Sequence, residues 1–127
     1  MITRTFTAVA GALGFLGVLI GAFGAHVLKS TLSVDSQAIF ETGVRYHLVH
    51  TLAILAVAIL AGVIGESKPL RASGWFFTAG IVIFSGSLYA LAISGIKILG
   101  AITPIGGLCF LIGWACVVAS ARIKTPD

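Results

Sequence analysis

Charged side chains are scarce in this chain. Asp, Glu, Lys and Arg make up 9% of its 127 residues, against about 25% in a soluble domain. Apolar residues make up 58%, and the mean hydropathy is +1.12. Because so few polar side chains cannot cover a globule in water, we expect the surface to face a lipid bilayer. Four spans of about 20 residues would leave no room for a sizeable catalytic domain outside the membrane.

Acidic side chains are missing from the apolar runs. The four that exist are expected in loops or at the terminus: Asp35, Glu41, Glu66 and Asp127. A small exporter that exchanges protons for cations needs a carboxylate at mid-membrane. The chain also lacks Ser/His/Asp arrangements, paired carboxylates, phosphate-binding loops and dinucleotide fingerprints. We therefore predict a protein that is not an enzyme and uses no cofactor.

Basic clusters and cysteine are also scarce. Eight Lys and Arg residues give a net charge of +4, but they are scattered, so nucleic acid is not an expected partner. The two cysteines, Cys109 and Cys116, would stand about 10.5 Å apart along one helix. This separation exceeds the reach of a disulfide, and we expect both thiols to pack against neighbours.

Long apolar runs predict an all-α membrane protein, a bundle of four transmembrane helices forming a single domain over residues 1–127. The predicted spans cover residues 6–27, 46–64, 74–93 and 102–121. The brief link between the last two predicts antiparallel neighbours. Residues 30–45 are amphipathic and predict a short interfacial helix that acts as a helical ramp into the second span, with a ligand lid as the alternative.

The distribution of basic residues favours one orientation. One side carries five of them: Arg4, Lys68, Arg71, Arg122 and Lys124. The other side carries three: Lys29, Arg45 and Lys97. By the positive-inside rule, both termini are expected in the cytoplasm.

Glycines mark the predicted helix contacts. In the first span they recur three or four residues apart at Gly14, Gly17, Gly21 and Gly24. Such a stripe favours close packing against another helix, here one of the same chain, with a homo-oligomer as the alternative. In the fourth span, Gly106 and Gly107 leave room for a neighbouring helix or for a bound headgroup or quinone.

The three histidines are the densest titratable group. His26 is expected at the end of the first span, and His47 and His50 at the start of the second, on the same outer face. The i, i+3 spacing of the latter two could ligate a metal or haem with His26 as a third nitrogen. The alternatives are hydrogen bonding within the bundle and contact with a proton or quinone.

Hydroxyl groups lie inside the predicted spans. Ser85, Ser87 and Tyr89 are expected to face other helices, because an unpaired hydroxyl is costly in hydrocarbon. Together with His26, Tyr46, His50 and Thr103 they are also candidate binding residues. Alternatively, the three hydroxyls could line an ion or small-molecule pathway with Tyr46 and His50. Trp75 and Trp114 are expected at the cytoplasmic interface.

Four ordered motifs carry a family resemblance. They are Gly21–His26, then Tyr46 with His50, then Phe84–Tyr89, then residues 103–107 with Gly113 and Trp114. Over nearly the whole chain they resemble the small four-span bacterial inner-membrane family named domain of unknown function 423, or UPF0382, whose relatives include eukaryotic transmembrane protein 256.

The resemblance implies a multi-pass inner-membrane protein without an established activity, in a family of which some members look connected with membrane integrity and stress tolerance. The family pattern singles out His26, Tyr46, His50, Ser85, Ser87, Tyr89, Thr103 and Pro104 but not His47. The leading hypothesis is a structural or accessory role. The alternatives are a small-molecule or ion pathway, a lipid- or quinone-binding protein, and a metal or haem carrier.

Overall fold

The computed structural model describes residues 1–122, so Lys124 and Asp127, both used in the sequence predictions, lie outside it. The elements follow one another as α1 (Ile2–His26), a 3₁₀ turn (Leu28–Ser30), α2 (Val34–Ile64), α3 (Lys68–Gly80), a π-helical turn (Ile81–Ser85), α4 (Gly86–Ser94) and α5 (Leu99–Ser120). Since α3, the π turn and α4 form one continuous rod, four helices are long and apolar enough to cross a membrane. The predicted all-α four-helix membrane fold is confirmed.

Helix α2 begins earlier than the sequence predicted. The Ser33 hydroxyl caps it by accepting a hydrogen bond from the amide of Ser36 at 3.1 Å, and the helix then runs without a break to Ile64. The short helix predicted over residues 30–45 is therefore present from Val34 onward, as the helical ramp into the second span and not as a separate element. The physical reason is that no proline follows the cap, and Gly43 is held against the Tyr89 ring.

The outer surface of the bundle is apolar. Large side chains on three helices project away from the protein, with Val18, Leu52 and Leu111 between 64% and 68% exposed. Exposing such a surface to water would be unfavourable, whereas lipid chains are as apolar as these side chains. Inside, Phe6 of α1, Ile54 of α2 and Phe77 of α3 are at most 1% exposed and form the centre of the apolar core.

The glycine stripe of α1 lies against α2. A Cβ atom at Gly14, Gly17, Gly21 or Gly24 would meet, in that order, Thr51, Leu48, Val44 and Phe40. The partner numbers fall as the glycine numbers rise, so the two helices are antiparallel. Packing within one chain is confirmed, and a homo-oligomer stays a prediction.

The contact between α3 and α5 also depends on glycines that lie against large side chains. Gly80 lies under the ring of Phe110, and Gly113 under the ring of Phe77. At Gly106 the fit is closer still, because an added Cβ would collide with the backbone of Phe84. These pairs confirm that the third and fourth spans are antiparallel neighbours.

Candidate functional site

His47 joins three helices through one ring. Its Nε2 lies 2.8 Å from the carbonyl oxygen of Leu13 in α1, and its Nδ1 lies 2.9 Å from the hydroxyl of Tyr89 in α4. A carbonyl can only accept, so Nε2 carries the proton and donates, and in the neutral ring Nδ1 accepts from Tyr89. The His47 side chain is only 3% exposed, and both of its nitrogens are satisfied.

A glycine makes the contact between His47 and α1 possible. A Cβ at Gly17 would stand 3.2 Å from both Cδ2 and Nε2 of the His47 ring and 2.6 Å from Leu48. The bare backbone at Gly17 therefore opens the carbonyl of Leu13, one turn earlier, to the imidazole. The glycine stripe of α1 thus allows close packing and also exposes a backbone carbonyl, that of Leu13, as a hydrogen-bond acceptor.

His50 joins α2 to α5. Its Nδ1 donates to the carbonyl of Tyr46 at 2.9 Å, which leaves Nε2 to accept from the indole N–H of Trp114 at 3.1 Å. The ring also stacks on Phe110, with centroids 3.6 Å apart and planes 12° from parallel. The Trp114 indole therefore reaches the middle of α2, although Trp114 lies only six residues before the end of α5, and its predicted place at the cytoplasmic interface stays a prediction.

The three histidines do not share one end of the bundle. His26 is exposed in the last turn of α1. His47 contacts Leu13, thirteen residues earlier in α1, which is about 20 Å along the axis. No group of three metal-ligating side chains exists among residues 1–122. The predicted three-histidine metal site is wrong because α2 begins twelve residues before Tyr46 and carries His47 and His50 into the bundle.

The hydroxyls of the third span face other helices, as predicted. Ser85 donates to the carbonyl of Gly43 in α2 at 2.7 Å, and the hydroxyls of Ser87 and Thr103 are 2.6 Å apart between α4 and α5. Ser85 ends the π-helical turn, which is closed by a bond from the Gly86 amide to the carbonyl of Ile81. Such turns are frequent at functional sites, but this one follows an ordinary apolar run and had no signal in the sequence.

Tyr46 differs from the other polar residues of the spans. It is 40% exposed, and its hydroxyl has no hydrogen-bond partner among residues 1–122. It lines a lateral groove of about 590 Å³ between α2 and α5. The walls include His50, Phe84, Phe110 and Trp114, so the groove is aromatic and contains one open hydroxyl.

Comparison with known proteins identifies the family. The model of a protein family described as "Protein of unknown function (DUF423)" matches residues 20–107, more than half of the chain. The chain belongs to the DUF423 family. The matched residues include His26, His47 and His50 and the hydroxyl-bearing residues Tyr46, Ser85, Ser87, Tyr89 and Thr103.

Curated relatives of this DUF423 chain are named only as membrane proteins. It is 42% identical to the UPF0382 membrane protein YwdK of Bacillus subtilis over 93% of this chain and 96% of that one. It is 40% identical to the UPF0382 inner membrane protein YgdD of Escherichia coli K12 over 98% and 95%. It is 45% identical to a Staphylococcus saprophyticus relative, SSP2132, over 85% and 89%. No solved structure matches.

Proposed function

We propose that this DUF423 protein is a non-enzymatic accessory protein of the bacterial inner membrane that supports membrane integrity. One observation favours an accessory role over an ion pathway: polar side chains inside the bundle are hydrogen-bonded to neighbouring helices. The hydroxyl of Tyr89 is hydrogen-bonded to His47, that of Ser85 to the carbonyl of Gly43, and that of Ser87 to the hydroxyl of Thr103. A pathway for ions needs polar groups that exchange partners with the ion, and closed interhelical bonds are unsuited to that.

Flux measurements on the purified protein in liposomes test this proposal. We expect no flux of protons, potassium ions or a small dye above that of empty liposomes. Flux through the wild-type protein that His50→Ala abolishes would contradict the proposal.

A test in cells addresses membrane integrity. Cells deleted for the gene should admit more of a membrane-impermeant dye after osmotic shock, and the wild-type gene should restore the barrier. A deletion strain that takes up no more dye than its parent strain would contradict the proposal as well.

We further propose that both termini face the cytoplasm. Within the described residues, Arg4, Lys68, Arg71 and Arg122 lie at one end of the bundle, where loops rich in Lys and Arg stay inside. Single cysteines placed at Ser67 and at Lys97, in a background with both native cysteines replaced, test the orientation. A membrane-impermeant thiol reagent added to intact spheroplasts should label position 97 and not position 67, and the reverse pattern would contradict it.

The groove beside Tyr46 favours a second candidate, the binding of a lipid-soluble molecule that carries a carbonyl group, such as a quinone. An unpaired hydroxyl costs a few kcal/mol in hydrocarbon, and a carbonyl acceptor in the groove would remove that cost. The aromatic side chains of Phe84 and Phe110 offer flat surfaces to a ring.

Tryptophan fluorescence tests this candidate. Trp114 lines the groove, whereas Trp75 packs against Phe6 elsewhere, so Trp75→Phe and Trp114→Phe each leave one reporter. A short-chain benzoquinone should quench Trp114 saturably, and Tyr46→Phe should weaken its binding about fivefold. Equal, unsaturable quenching of both tryptophans would indicate simple partition into lipid and would contradict binding.

A further inference from the structure

A separate cavity lies at the other side of α2. It has a volume of about 320 Å³ and opens between the last turns of α1 and the first turns of α2. Its floor is apolar and includes Phe40 and Val44. Its rim carries three charged side chains, Lys29, Glu41 and Arg45. A cavity of this size is comparable to the smaller ligand pockets of proteins, about 300 Å³.

Two features of the sequence shape this cavity. Gly24 has no side chain, and a Cβ there would collide with the ring of Phe40, so the floor depends on this glycine. Gln37 fixes the roof, because its side-chain amide donates to the carbonyls of Lys29 at 2.8 Å and Leu32 at 2.9 Å. The turn between α1 and α2 is thereby held open before any ligand arrives.

Helix lengths place the cavity at the boundary between the lipid headgroups and the hydrocarbon. The 31 residues of α2 measure about 46 Å, close to the about 40–45 Å of a bilayer with its headgroup layers. Counting inward from Asp35 in the first turn, Glu41 lies about 9 Å and Arg45 about 15 Å along the axis. A long arginine side chain reaches back toward the headgroups from that position. The apolar floor therefore lies beside lipid chains, and the charged rim beside phosphates.

The rim has charges of both signs without internal pairing. Within residues 1–122, the structure places an ion pair only between Met1 and Glu66, at the opposite end of the bundle. Lys29 and Arg45 are two cations that can share one phosphate. Glu41 is a carboxylate in the same cavity, so a phosphate alone would face its negative charge.

We propose that this cavity binds the headgroup of a zwitterionic phospholipid with a primary ammonium group. Lys29 and Arg45 contact its phosphate, and Glu41 accepts hydrogen bonds from its ammonium. A phosphatidylglycerol headgroup offers Glu41 no cation. The quaternary ammonium of phosphatidylcholine has no N–H to donate, and Phe40 alone does not form an aromatic cage for it. The site is independent of the function proposed above.

Native mass spectrometry of the purified protein with defined lipids tests the proposal. The probes are phosphatidylethanolamine, phosphatidylcholine and phosphatidylglycerol with identical chains, added one at a time and in pairs. The wild-type protein should retain phosphatidylethanolamine about fivefold more than either of the others. Glu41→Leu, which removes both the charge and the acceptor oxygens, should abolish the preference over phosphatidylcholine, and Arg45→Gln should lower retention of all three lipids.

Matched variants outside the cavity serve as controls. Asp35→Asn removes an exposed carboxylate from the same end of α2, and Lys97→Gln removes a cation from the same side of the membrane. Both should keep the wild-type preference. Ala25→Phe, at an exposed position on the cavity wall, should block all three lipids while the far-ultraviolet circular dichroism stays unchanged. Equal retention of the three lipids by the wild type, or an unchanged preference in Glu41→Leu, would overturn the proposal.

Discussion

The indole of Trp114 donates its N–H to Nε2 of His50 across 3.1 Å, and this bond fixes which nitrogen of the imidazole is unprotonated. The acceptor belongs to a side chain that is 5% exposed in the middle of α2. The bond therefore links α5 to α2 at a depth where water cannot replace the donor.

Trp114→Phe should destabilise the bundle by about 1–2 kcal/mol, because it keeps an aromatic ring but leaves Nε2 of His50 unpaired. Reversible unfolding in mixed detergent and denaturant measures the loss. Trp75→Phe is the matched control, since the structure gives that indole no hydrogen bond among residues 1–122. Equal stability of the two variants would contradict the assigned bond.

Gly17→Ala should cost about 1–3 kcal/mol of unfolding free energy. Its methyl group would enter Leu48 and push the His47 ring away from the carbonyl of Leu13. Gly11→Ala is the control in the same helix, because a Cβ there meets nothing within 4 Å. It should be neutral or slightly stabilising, since Ala is the better helix former. A small effect at both positions would show that α1 does not depend on this contact.

The sequence predicted those features that lipid imposes. Spans of about 20 apolar residues and glycine stripes at helix contacts are required by the medium, and both are present. The hydroxyls of Ser85 and Ser87 were expected to face other helices for the same reason, and they do.

Other features depend on three-dimensional packing that local patterns do not encode. Glu41 and Arg45 suggested that the second span begins at Tyr46, but a helix can continue through the headgroup layer with charged residues on its surface. That shift of twelve residues displaced His47 and His50 from the predicted outer face. The partnership of His50 with Trp114 joins residues 64 apart in sequence, and no spacing rule predicts it.

Gly106→Ala should disrupt the contact between α5 and the π-helical turn. Its Cβ would collide with the backbone of Phe84, which cannot move as a side chain can, and we expect a loss of about 2–4 kcal/mol. The adjacent Gly107→Ala is the control, because its Cβ would stand 3.9 Å from the Phe84 ring. A melting temperature that falls only for Gly106→Ala supports the close approach, whereas equal temperatures would refute it.

Glu66 should give the N-terminal turn a dependence on pH. The amino group of Met1 hydrogen-bonds its carboxylate and, with the amide of Ile2, lowers the pKa of Glu66 below its usual 4.5. Because folding lowers the pKa of Glu66, the contact stabilises the turn fully at a pH above the usual pKa of 4.5. The contribution is lost as the pH falls through the folded pKa.

Hydrogen exchange of the amides of Ile2 and Thr5, corrected for the intrinsic exchange rate at each pH between about pH 6 and about pH 3, reports this opening. Protection in the wild type should fall at the acidic end. Glu66→Gln should show weaker protection throughout and no step, and Asp35→Asn should follow the wild type. A step that persists in Glu66→Gln would assign the pH dependence to another group.

The central claim, that polar side chains inside the spans hold the helices to one another, is tested most directly by a double-mutant cycle between His47 and Tyr89. His47→Leu, Tyr89→Phe and the double variant are compared with the wild type by unfolding free energy in the same detergent. The account predicts a coupling of about 0.5–2 kcal/mol, because either single change already removes the hydrogen bond. Strictly additive effects would contradict it.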